Sequence, residues 1–132
     1  MDPIRLFSII SWILLPAVMF GGYFLLHLQV RNTVLTPFKE TYFRAGHAHA
    51  GILLLLSLLY YQYLGQHTTT FLFQWIACIV ALVGLLAISG GFFLHMVQGK
   101  AGTSSAGVLV TNIGAALLTL AILFLVYLII VG

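Results

Sequence analysis

Four long apolar stretches, at 6–28, 38–64, 71–97 and 105–131, constrain this chain more than any other feature. Each can cross about 30 Å of hydrocarbon at roughly 1.5 Å of rise per helical residue. Hydrocarbon offers no water to the backbone, so a spanning segment must satisfy its own N–H and C=O groups as a helix or within a closed barrel. A barrel would alternate apolar and polar residues in segments of about ten, whereas these runs are continuous. The linkers at 65–70 and 99–104 are short and force neighbouring helices antiparallel. The sequence therefore predicts an all-α integral membrane protein, a four-helix up-down-up-down bundle forming one transmembrane domain over 1–132. The first stretch is longer than the apolar core of a signal peptide and no small-residue cleavage site follows it, so it reads as a retained span.

Charge is scarce, with five basic and two acidic side chains and a net charge of +3. Five scattered cations give nucleic acid no electrostatic footprint, and that partner is excluded. The single cysteine, Cys78, sits inside an apolar run and reads as a small hydrophobe. Thr36 followed by Pro37 is an N-cap and first-turn signature, so the second helix is expected to start at 37 with Lys39, Glu40 and Arg44 in its polar opening turns. Pro16 predicts a kink in the first span.

The remaining polar residues are sorted by the alternation of the spans. His27 ends the first, His47 and His49 lie near the start of the apolar part of the second, and His95 ends the third, which places all four on one side of the membrane. His67 alone falls in the opposite loop. Thr111, Asn112 and Ser105 add polar atoms at similar depth on the fourth span. An imidazole in hydrocarbon is costly without a partner, and its neutral form is a good ligand for haem iron, copper or zinc. Asp2 and Glu40 are the only carboxylates, both outside or at the edge of the spans, which argues against a carboxylate-bridged metal centre or a buried carboxylate relay.

The segment Gly46-His47-Ala48-His49-Ala50-Gly51 is the most informative of these. Residues two apart on a helix point about 200° from each other, so His47 and His49, if both are ligands, serve two sites on opposite flanks. Gly46, Ala48, Ala50 and Gly51 strip bulk from both flanks, which gives clearance for a macrocycle. The same small residues also suit close helix packing, and the pair reads equally as two interfacial rings bonded to water, headgroups or carbonyls. His95 ends a narrow stripe through Gly84, Ile88 and Gly91, readable as a ligand approach or as a packing groove. His27, at the very end of its span, reads as a ligand, as an outer group orienting one, or as an interfacial histidine with neither role. Arg44, one turn before His47, could pair with a haem propionate or anchor the helix at the interface.

The Gly46–Gly51 segment resembles the G-H-x-H-x-G motif of the catalytic subunit of heme-copper oxidases, notably the cbb3-type and nitric-oxide-reductase branches. In that family one helix carries two haems, one per histidine, and the subunit is a pseudo-threefold set of four-helix arcs. This chain has the length of one arc, with His47 and His49 on its second helix and His95 on its third. The resemblance implies haem b, with copper as an additional candidate, and a homo-oligomer, a trimer being favoured, in a bacterial inner membrane. The family's adjacent-histidine copper ligands and acidic proton-channel residues have no counterpart here. The basic residues Arg31, Lys39, Arg44 and Lys100 would turn the histidine side to the cytoplasm, while the family turns it outward.

The combined expectation is a b-type haem protein with cofactor-contacting residues His47, His49, His95, His27, Arg44, Gly46, Gly51 and Gly91, the four histidines being the metal ligands. Its work would be electron transfer, or redox chemistry on a small molecule such as O2 or NO, fed by a quinol or a cytochrome. A haem or metal carrier and a non-catalytic accessory subunit are the alternatives.

Overall fold

A computed structural model describes residues 1–31 and 35–131. It contains four helices, α1 (Pro3–Val30), α2 (Pro37–Leu64), α3 (Phe71–Gln98) and α4 (Ala106–Val131), and no strand among the described residues. All four are long and apolar enough to cross a membrane. Large apolar side chains such as Ile13, Ile52, Leu123 and Ile130 cover the outside, which is the surface a multi-pass membrane protein turns to lipid.

Local chemistry sets the helix ends. The Asp2 carboxylate accepts from the N–H groups of Ile4 (3.2 Å) and Arg5 (3.4 Å), with Pro3 in the first turn. Thr36 Oγ1 accepts from Lys39 N–H at 3.3 Å and Pro37 opens α2, as its sequence predicts. Pro16 lies inside α1, and the helix continues through it to Val30.

The helices α2 and α3 each touch the other three, α3 the more extensively, whereas α1 and α4 have no mutual contact among the described residues. The tightest partner of α3 is α4. A Cβ on Gly84 would lie 2.8 Å from the Leu118 backbone N, and one on Gly114 2.7 Å from the Gly84 carbonyl. A Cβ on Gly91 would overlap Thr111 and reach 2.6 Å from the Gly107 carbonyl, and one on Gly107 would reach 2.5 Å from the Gly91 carbonyl. Across this seam Thr111 Oγ1 donates to the Ile88 carbonyl at 3.4 Å. Lipid tails are as apolar as leucine, so helices associate by contact and hydrogen bonding, and small residues let the backbones approach. The stripe Gly84, Ile88, Gly91 is thus the groove that seats α4.

On the opposite flank α1 lies in the groove between α2 and α3. Phe7 stands edge-on to Trp75 with ring centroids 5.8 Å apart, and Ser11 and Ser57 hydroxyls meet at 3.0 Å between α1 and α2. Tyr61, Leu64 and Cys78 are fully buried there.

The seam yields a paired expectation. Gly91→Ala should lower stability in detergent by roughly 1–3 kcal/mol through overpacking. The neighbouring Gly90 has open space where a Cβ would go. Gly90→Ala should therefore be neutral or slightly stabilising, as in any helix interior. Thermal unfolding of the two variants followed by circular dichroism measures the difference.

Candidate functional site

The four histidines do lie towards one end of the bundle, but each has a different environment. His95, in the last turn of α3, is 3% exposed. Its Nδ1 is hydrogen-bonded to Ser105 Oγ at 2.6 Å, and the same oxygen accepts from Gly107 N–H at 3.1 Å, capping α4. Tyr42 stands edge-on to the ring at 4.4 Å between centroids, and Phe38 lies at 5.5 Å. Gly99 closes the remaining side, since a Cβ there would be 2.5 Å from His95 Nδ1. His95 therefore ties the end of α3 to the start of α4 and to the first turns of α2.

His47 and His49 occupy opposite flanks of α2, as the helical pitch requires. His47 faces α1, where Gly21 and Gly22 admit its ring: a Cβ would lie 3.4 Å from Nδ1 at Gly21 and 2.8 Å from Nε2 at Gly22. Phe43, one turn back, stacks beside it at 6.4 Å. His49 faces the other way and stacks on Phe92 of α3 with centroids 4.7 Å apart. Its Nδ1 lies 2.8 Å from the Ala45 carbonyl oxygen. A carbonyl can only accept, so Nδ1 donates this bond, and in the neutral tautomer that makes it the lone pair is on Nε2. This side chain is exposed on the flank of the bundle.

Between α1 and α2 runs a groove of about 650 Å³ lined by Trp12, Pro16, Met19, His47, Ala48 and Gly51, among others. That volume lies within the usual range of roughly 300–1,000 Å³ for small-molecule sites, as does its composition of apolar walls with one or two polar groups. Gly51 borders it with a wall free of side chain. Gly46 does not, since its missing Cβ makes room for Phe92 and Phe93 at 3.1–3.2 Å.

The other sequence candidates are placed apart from this groove. His27 stacks on Tyr23, one turn back on α1, at 6.2 Å. Arg44 is paired with Glu40 at 2.8 Å, and Glu40 also accepts from Gln29 of α1 at 2.9 Å. Gly91 is taken up by the α4 seam. Among the described residues no three of the His, Cys, Asp and Glu side chains come together, so the histidines are held apart rather than in one cluster.

Several participants were not singled out from sequence: Gly21 and Gly22 opposite His47, Gln29 bridging to Glu40, and Ser89 on α3. The glycine pair was detectable, because it sits at the depth of His47 on the adjoining antiparallel span.

Ser105→Ala removes a helix cap together with the one hydrogen-bond partner that His95 has among the described residues. A loss of about 1–3 kcal/mol is expected, read as a lower unfolding temperature, with Ser105→Thr recovering most of it.

No protein-family model, curated protein or solved structure gives a significant match to this chain.

Proposed function

We propose that this membrane protein binds b-type haem through His47 and His49 and serves electron transfer, or redox chemistry on a small molecule such as O2 or NO. The observation that carries the reading is the His49 ring. Its Nδ1 is bonded to the Ala45 carbonyl, and the side chain is exposed on the flank of a hydrophobic helix. Metal-bound histidines almost always anchor their other nitrogen in this way, which fixes tautomer and ring orientation. In hydrocarbon a ring nitrogen without a partner is costly unless something coordinates or bonds it.

His47 fits the same reading through the apolar groove it lines, where Ala48 and Gly51 offer a flat wall. Bound iron porphyrin supplies one-electron chemistry, tuned by its axial ligands and the polarity around it. The chain's own part is to hold each ring on its flank, exclude water with Trp12, Met19 and the neighbouring aliphatic side chains, and fix the His49 proton on Nδ1. His95 is 3% exposed and enclosed by Tyr42 and Phe38, and acts in this reading by positioning α2 against α3. Because His49 points out of the bundle, its site is completed by a second copy of the chain. A homotrimer follows the resemblance to the oxidase arcs, as does placement in a bacterial inner membrane.

Protein purified in mild detergent should show a Soret band, and sharp α and β bands on reduction with dithionite. His47→Ala and His49→Ala should each lose part of the bound haem as measured by pyridine haemochrome, and the double variant all of it. Colourless protein that takes up no added hemin would overturn the reading. Gly22→Ala, which crowds His47 Nε2, should shift the reduced bands or lower occupancy, whereas Gly90→Ala should do neither.

A further inference from the structure

A second cavity, of about 270 Å³, lies between α1, α2 and α3 and shares His47 and Val18 with the groove described above. Its wall carries two polar side chains, His47 and Ser89, among apolar ones that include Phe43 and Phe93. Ser89 is 5% exposed, and its hydroxyl has no hydrogen-bond partner among the described residues. It does not bond the carbonyl one turn back, the usual refuge of a serine inside a helix. An orphan hydroxyl costs about 1–3 kcal/mol. The hydroxyls of Tyr60, Tyr61 and Thr69 are also buried without a partner among the described residues, and Ser89 is the one of the four that lines this cavity.

The size and chemistry of the space select that partner. An apolar cavity of about 150 Å³ holds a benzene ring and stays dry, while a water needs two to four polar partners. The cavity is larger than this and offers only two polar side chains, set in an apolar wall. A substituted six-membered ring with oxygens on it fits better than a water cluster. Ser89 can donate or accept a hydrogen bond, and His47 can donate one from the ring nitrogen not committed to iron. The pair can thus donate to the carbonyl oxygens of a quinone, and Ser89 can accept from the hydroxyl of the quinol. Ala17 and Leu86 line the cavity and are exposed on the flank of the bundle, so it reaches the lipid-facing surface between α1 and α3.

We propose that this cavity binds the ring of a lipid-soluble benzoquinone, with Ser89 and His47 as its hydrogen-bonding groups and Phe43 and Phe93 flanking it. The site names the electron-carrying partner of the redox reading and rests on that reading for its physiological role, but its binding chemistry does not require haem.

The test is calorimetric titration of the full chain in dodecyl maltoside with 6-decyl-2,3-dimethoxy-5-methyl-1,4-benzoquinone, and with decylbenzene as the oxygen-free analogue. The expected result is saturable one-to-one binding of the quinone and markedly weaker binding of decylbenzene. Ser89→Ala should weaken the quinone about tenfold, the value of one hydrogen bond, and leave decylbenzene unchanged. Leu86→Trp should abolish binding by filling the mouth; if that variant misfolds by circular dichroism, Ala17→Phe on the opposite wall replaces it. Equal affinity for the two probes would overturn the proposal and leave the cavity a seat for acyl chains. Absence of saturable binding, or binding indifferent to both Ser89→Ala and the filled mouth, would overturn it too. Haem content is measured on the same samples. Colourless protein that binds the quinone refutes the haem reading alone, and haem-loaded protein that does not bind it refutes this one alone.

Discussion

The close approach of α3 and α4 is the contact on which the rest of the bundle depends. In lipid, burying apolar surface gains nothing over leaving it against acyl chains, so a helix pair must be held by short-range packing and by polar contacts. Gly84 and Gly91 on one helix and Gly107 and Gly114 on the other bring backbone against backbone, and Thr111 bonds across the seam. With α4 seated on that stripe, the remaining faces of α3 are free for α2 and α1, and α3 becomes the core of the molecule. The buried His95, clamped between Ser105 and the rings of Tyr42 and Phe38, locks the end of the seam to the start of α2.

The polar groups inside this bundle divide by how completely the chain satisfies them. Ser11 and Ser57 bond each other, and Ser57 also donates to the Leu54 carbonyl at 2.7 Å. His95 and His49 each have Nδ1 bonded, His95 enclosed in the bundle and His49 exposed on its flank. The hydroxyls of Ser89, Tyr60, Tyr61 and Thr69 have no partner among the described residues, and Ser89 alone of them borders the cavity between α1, α2 and α3. In a medium that supplies no hydrogen bonds, the incomplete groups are the ones that point to something the chain binds. This distinction directs attention to the two flanks of α2 and to the cavity beside Ser89, and away from His95.

Arg44 and Gly91 show how a residue's meaning changes once its neighbours are known. From sequence, Arg44 lies on the His47 face and is free to meet an anionic group. In the fold its guanidinium is on Glu40, which also receives Gln29 from α1, so the trio fastens the first two helices near the membrane surface. Gly91 leads along its helix to His95 and reads equally as approach path or groove. The glycines of α4 opposite it decide for the groove.

The spans, their alternation and the sorting of four histidines to one end were legible in the residues, because hydrophobic run length and helix-end chemistry are local properties. Thr36 and Pro37 marked the start of α2 for the same reason, and the opposed directions of His47 and His49 follow from helical pitch alone. Which helix each ring meets was not legible. That Gly21 and Gly22 admit His47, that Phe92 backs His49, that Ser105 claims His95 and that Ser89 is left unpartnered all depend on the rotation and lateral order of the helices. Those are set by interhelical packing, a property that no single segment of the sequence carries.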